Sequence, residues 1–254
     1  MSVATRDPAD HEPSPGDDAA AHPHGSFFGR RKGHKLRAHQ TDLIEHLLPR
    51  LALDITKPAP SEELAGLFDP PADAVRLEIG FGGGEHLIAE ARAYPNLGFI
   101  GCEPYVNGMA KILAQIEAHD IGNIKLFAGD AAELLAWAPK QSLARIDLIH
   151  PDPWPKRRHW KRRFVQDATV AAMARVLKPD GEFRFVSDID DYCAWTLAHL
   201  LRAPDFVWTA ERADDWRRPW PDYTMTRYGR KAEREGRRAA YFRFRKSVVI
   251  PGRE

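Results

Sequence analysis

Leu77-Glu78-Ile79-Gly80-Phe81-Gly82-Gly83-Gly84 decides the fold. A short apolar run, Val75–Ile79, enters a glycine-rich turn, and Glu85–Ala93 then reads as a helix. Glycine permits positive φ and lets backbone approach a ligand closely. Outward from this turn the same unit recurs. Strands are expected at Leu97–Cys102, Ile124–Ala128, Ile146–His150 and Glu182–Ser187. Helices are expected at Tyr105–His119, Ala131–Trp137, Phe164–Leu177 and Tyr192–Leu201, with Pro179-Asp180-Gly181 stopping the third of these. Phe206–Thr209 and Tyr241–Val249 finish as antiparallel strands. The alternation predicts an α/β domain, a mostly parallel seven-stranded sheet with helices on both faces. Ligands of such sheets sit beyond the carboxyl ends of the strands.

Upstream of this domain, which spans 75–254, two further stretches differ in composition. Residues 1–25 are acidic, rich in Pro, Ala and His, and have almost nothing to bury, so a disordered acidic tail is expected. Residues 26–74 read as a basic N-terminal extension, a helix and a linker. Phe27 and Phe28 border the basic run Arg30–Arg37; Leu43, Ile44, Leu47, Leu48 and Leu51 give Thr41–Leu53 a helical rhythm; and the prolines of Lys57–Ala74 suggest the linker. The net charge of +1 over 254 residues hides this asymmetry. The two cysteines, Cys102 and Cys193, fit neither a disulfide framework nor a Cys-rich metal site, and suggest a reducing cytosol. No apolar run approaches the ~20 residues of a membrane span, and no secretory leader is evident. A cytoplasmic protein with no metal, no membrane association and no obligatory protein partner is expected.

The glycine loop admits two cofactors. A dinucleotide fingerprint needs Gly-x-Gly-x-x-Gly, and Glu85 stands where the third glycine belongs. The spacing here is Gly80-x-Gly82-x-Gly84, with Glu78 two residues before it. That version resembles the S-adenosylmethionine loop of class I methyltransferases. An acid suits the cofactor's amino group and sulfonium, and would repel a pyrophosphate. Glu103 ends the second strand about 20 residues on, where an acid accepts ribose hydroxyls. Asp130 ends the third strand; it can meet the adenine amino group, cap the following helix, or both.

The most specific stretch runs from His150 through Pro151-Asp152-Pro153-Trp154-Pro155-Lys156 to Arg163. Prolines on both sides restrict the loop and aim the Asp152 carboxylate. Basic residues after it suit phosphates, and Trp154 and Trp160 either stack on bases or pack against the loop. Here the chain resembles the bacterial tRNA (guanine-N7)-methyltransferases, from about Arg30 to Lys246. Pro151–Trp154, Lys156, His159–Arg163, Glu78-Ile79-Gly80-Phe81-Gly82, Val186-Ser187-Asp188 and Thr226-Arg227-Tyr228 carry the likeness. It implies a class I, Rossmann-like methyltransferase fold and the cofactor S-adenosylmethionine, contacted by Glu78, Gly80, Gly82, Glu103, Asp130 and Asp152. It implies substrate contacts at Lys156, Asp188 and Thr226, RNA contacts at Arg158, His159, Trp160, Lys161, Arg162 and Arg163, and a guanine of the tRNA variable loop as target. The family usually reads Thr-x-x-Glu, and this chain has Gly229 at the fourth place.

Guanine N7 has a free lone pair and needs no base before attack. Catalysis is then positioning and field. Asp152 is the expected catalytic residue, either stabilising the positive charge that forms on guanine or accepting its N1–H and N2–H. Competing readings are a nicotinamide dehydrogenase, a methyltransferase of rRNA, DNA or protein, and a non-enzymatic RNA-binding module. Two local alternatives are a solvated basic loop at Lys156–Arg163 and a helix cap at Asp188.

Overall fold

The computed structural model describes residues 28–29, 31–60 and 63–248; the expected tail over 1–25 lies outside them. Seven strands form one sheet: β1 (Val75–Ile79), β2 (Gly98–Cys102), β3 (Ile124–Phe127), β4 (Leu143–Ile149), β5 (Leu177–Ser187), β6 (Phe206–Trp208) and β7 (Ala240–Lys246). Their order is β3-β2-β1-β4-β5-β7-β6. The pairs among β1 to β5 are parallel, and β7 runs antiparallel to both β5 and β6. The chain order reverses between β1 and β4. That switch point opens a crevice at the carboxyl ends of the strands.

Helices cover both faces. On one, α3 (Glu85–Ala93) and α4 (Val106–His119) pack Leu87, Met109, Ile112 and Leu113 over Phe99, Ile124 and Leu126. On the other, α5 (Ala131–Trp137), α6 (Asp167–Val176) and α7 (Asp190–Arg202) pack Leu134, Val170, Met173 and Tyr192 against Leu77, Ile146, Phe183 and Phe185. Strand β2 thus sends Phe99 to one core and Ile100 to the other, as the pleat requires.

The N-terminal region is more integrated than its composition suggests. The expected single helix is two, α1 (Ala38–His46) and α2 (Leu48–Leu51), because Pro49 lacks an N–H and starts a new helix. Leu43 is buried with the α4 residues. The Leu53 amide donates to Leu126 O at 2.8 Å, so the chain continues along the β3 edge. The linker reading is corrected in part: Leu64–Leu67 form a 3-10 turn, and Leu64 and Phe68 enter the main core. Strand β5 also starts earlier than expected. Leu177 pairs with Leu143, a register shift follows before Arg145, and Asp180 takes a φ of 60°. Two short helices, α8 (Asp214–Arg217) and α9 (Arg227–Arg234), and a 3-10 helix at Arg157–Arg162 have no apolar stripe and were not expected. Among the described residues no helix is long and apolar enough to cross a membrane, and no cluster of His, Cys, Asp and Glu is arranged to hold a metal.

Candidate active site

After β1 the chain turns through Gly80 and Gly82, with φ of 71° and 58°, into Gly84, which caps α3 at a φ of 84°. The left-handed conformation at these positions explains the glycines. Opposite the loop, Glu103 at the end of β2 accepts from the Gly82 amide at 2.8 Å and from the Tyr105 amide at 3.0 Å. The carboxylate therefore ties the first turn to the start of α4. A Cβ at Gly108 would lie 2.4 Å from Gly82 O, so α4 and the loop pack backbone to backbone. Burial pushes the Glu103 carboxyl up, against the two amide donors that favour its charge. Each oxygen retains a further acceptor direction.

Gly80, Gly82 and Glu103 form one wall of a cleft of about 810 Å³, and Asp130, Asp152 and Asp188 also line it. Asp130 caps α5, accepting from the Ala132 amide at 2.9 Å through one oxygen; capping is thus met while the residue still faces the cleft. Asp152 is exposed to the cleft and has no hydrogen-bond partner among the described residues. Protein around it raises its carboxyl by desolvation alone. The acids that end four of the strands thereby face one cavity at the switch point. The glycine turn and the acids that line one cleft with it suit S-adenosylmethionine, whose amino group and sulfonium are cationic.

The Asp152 loop is held from behind. His150 and Trp154 have φ of 49° and 44°, uncommon for such residues and frequent where a loop is forced into one shape. Arg163 is the anchor: buried to 2% exposure, it donates from Nε to Pro153 O at 2.9 Å and from an Nη to Asp191 O at 3.1 Å. Its guanidinium also lies over the rings of Trp160, Tyr192 and Trp195. The expected RNA contact at Arg163 is therefore corrected: this arginine braces the loop. Trp160 likewise packs edge-on against Trp195. Arg162 sits between the rings of Phe28 and Trp154 at 5.1 and 5.0 Å. Lys156, Arg157, Arg158 and Lys161 are exposed, and His159 stands edge-on to Trp154.

Further expected residues land in different settings. Glu78 does not line the cleft. Its side chain, on the face opposite Leu77 and Ile79, lies 2.8 Å from His86 Nδ1, behind the glycine loop. Burial raises the Glu78 carboxyl. Burial works against a charged His86, but Glu78 outweighs it and lifts the imidazole to about 9. Thr226 is buried and caps α9, accepting from the Gly229 amide at 3.2 Å. Lys156 lies outside the cleft lining. Asp188 is no helix cap: α7 has Ile189 at its cap with no side-chain bond, and Asp188 instead faces His150 at 3.2 Å and Arg237 at 2.6 Å. Sequence reasoning missed both partners. Helix α9 was missed too, although it carries Arg227, Tyr228 and Lys231 to the cleft. A Cβ at Gly229 would lie 2.4 Å from Met225 Sδ and 3.3 Å from His150 Nε2.

Sheet, switch point and acid-lined cleft define a class I methyltransferase fold. The solved structure of the 16S rRNA methyltransferase KamB shares it, with a TM-score of 0.54 at 15% identity, over 76% of this chain and 97% of that one. A family described as "Putative methyltransferase" matches residues 72–241. The tRNA (guanine-N(7)-)-methyltransferase of Nitrobacter hamburgensis is 73% identical over 251 residues, 97% of each chain. That of Rhodopseudomonas palustris is 79% identical over 227 residues, 89% of this chain and 85% of its own. The chain belongs to the tRNA (guanine-N(7)-)-methyltransferase family.

Proposed function

We propose that this enzyme transfers a methyl group from S-adenosylmethionine to N7 of a guanine in the tRNA variable loop, in the cytoplasm. The observation that carries the reading is the Asp152 carboxylate, without a hydrogen-bond partner among the described residues, which faces the same cleft as the glycine loop and Glu103 and adjoins the exposed cations of the 3-10 helix. When bound, S-adenosylmethionine supplies an electrophilic methyl on a sulfonium. Gly80 and Gly82 would lie under its methionine portion, Glu103 would accept its ribose hydroxyls, and the second Asp130 oxygen would accept from its adenine amine. Glu78 supports the loop from behind, through His86.

Asp152 is the catalytic residue in this reading. N7 attacks with its own lone pair, so no residue removes a proton first. As the bond forms, guanine gains positive charge, and a carboxylate fixed beside it lowers the barrier. The test is methyl transfer onto tRNA, rRNA and DNA in parallel. Preference for tRNA supports the reading, and preference for rRNA or DNA overturns it.

Two expected results arise from the same assignment. Glu103→Ala should weaken S-adenosylmethionine binding by about 1–3 kcal/mol, the cost of stranding buried polar groups. Calorimetry would read this, with RNA affinity little changed; an unaltered cofactor affinity would leave Glu103 only its backbone contacts. Replacing exposed Arg157, Arg158 and Lys161 by alanine should flatten the dependence of log affinity on log salt by about 0.7–0.9 for each phosphate no longer neutralised. Turnover at saturating tRNA should stay near normal. A full salt slope in the triple variant would mean that tRNA docks elsewhere, on α9 or on the Arg31–Arg37 segment.

A further inference from the structure

His150 ends up in an unusual position for an imidazole. It is the first residue after β4, at a left-handed φ of 49°, with its side chain 4% exposed at the cleft wall. One nitrogen, Nδ1, faces Asp188 Oδ1 at 3.2 Å. The other, Nε2, is buried and has no partner among the described residues. A ring kept only to fill space would be better replaced by an apolar one, since a buried unpaired nitrogen is destabilising. The bond to Asp188 is the contact that accounts for a histidine here.

Asp188 is held from both sides. Oδ1 accepts from His150, and Oδ2 accepts from Arg237 Nε at 2.6 Å. Burial opposes its charge, but Arg237 and His150 outweigh burial and hold the carboxyl below its usual range. An ionised carboxylate only accepts, so the His150 proton sits on Nδ1. Burial also favours the neutral ring over the charged one, and outweighs the pull of Asp188. The carboxylate is therefore fixed in plane and in protonation state, with one further acceptor direction on each oxygen. Asp152 has no such side-chain hydrogen bonds among the described residues and is placed by its braced loop instead.

Two carboxylate acceptors at a cleft wall match a base edge with two adjacent N–H donors. Guanine has one, in N1–H and N2–H, on the side of the ring away from N7. Adenine offers no donor at N1. We propose that His150 is a positioning residue for base selection: with Arg237 it holds Asp188 as a two-acceptor edge that reads N1–H and N2–H of the target guanine. This rests on the methyltransferase reading above and assigns its two carboxylates different tasks. Asp188 selects the base, and Asp152 meets the charge that forms on it.

The test combines changes in the protein with a change in the base. Inosine keeps N7, O6 and N1–H but lacks the N2 amine, so the attacking atom is preserved while one proposed hydrogen bond is removed. tRNA carrying guanosine or inosine at the target position is methylated by the wild type and by His150→Phe, His150→Gln and Asp188→Asn, and kcat/KM is compared. The wild type should prefer guanosine by tenfold or more. Asp188→Asn and His150→Phe should reduce that preference to within about threefold, mostly by slowing guanosine. His150→Gln, whose amide can still donate to Asp188, should restore part of it. A wild type that methylates guanosine and inosine equally overturns the inference and leaves the methyltransferase reading standing. Equal loss on both bases in His150→Phe, or an unchanged preference, also overturns it, since a merely structural ring would act that way. A wild type inert on guanosine tRNA overturns both.

Discussion

Asp152→Asn is expected to lower single-turnover methylation at saturating tRNA by about 10²–10³, the cost of removing one preorganised electrostatic group. Asparagine keeps the size of the side chain and part of its hydrogen bonding but not its charge. The loss belongs to the transition state, where guanine becomes cationic, so tRNA affinity should hold or rise slightly as a negative charge leaves the RNA-facing side. The pH profile gives a second readout. Desolvation favours the neutral carboxyl and raises its pKa. Activity carried by the charged form is therefore full above that pKa and falls as pH drops through it, starting at higher pH than for an exposed aspartate of about 3.9. The asparagine variant should lack this acid limb. A variant that methylates at the normal rate would remove Asp152 from the chemistry.

The second large effect is on stability. Strands β1, β4 and β5 each alternate apolar with charged side chains, and the charged face is buried all the same. Arg145 donates from Nε to Asp147 at 2.8 Å and from an Nη to Glu90, which also accepts from Arg76 at 2.7 Å. Burial works against the Arg145 charge, but Asp147 and Glu90 outweigh it and raise its pKa. Arg184 extends the network to Asp222 at 3.2 Å and stacks under Trp220. Arg145→Met would leave the buried Asp147 without its cation and Glu90 with Arg76 alone, and should cost about 3–5 kcal/mol by denaturant unfolding. A loss below about 1 kcal/mol would mean that Arg76 or water takes over the pairing.

The same strands mark the limit of what the sequence discloses. In Val75–Ile79 and Leu143–Ile149, apolar and charged residues alternate, a pattern that ordinarily puts charges in water. The structure covers them with α3 and the segment around Trp220 and Tyr223, joined by ion pairs between residues far apart in the chain. No local pattern encodes that cover. By contrast, the glycine loop, α3 and α5 were legible to the residue, since strand, turn and amphipathic helix are local events. The cleft acids Glu103, Asp130, Asp152 and Asp188 were legible because the carboxyl ends of parallel strands converge. What the basic run Arg157–Arg163 did not disclose is which charges face outward. Composition cannot separate exposed Arg158 from buried Arg163, whose place is set by Pro153 and the α7 aromatics. His150 and Arg237 were missed for a similar reason: each acts on Asp188 across a gap of many residues.

The most direct test of the proposed chemistry is to incubate the full chain with isotope-labelled S-adenosylmethionine and unmodified tRNA, digest the RNA to nucleosides and identify the labelled one. The predicted result is label in N7-methylguanosine, formed by the wild type and nearly absent with Asp152→Asn. Label in any other nucleoside, or equal yields from the two proteins, would contradict it.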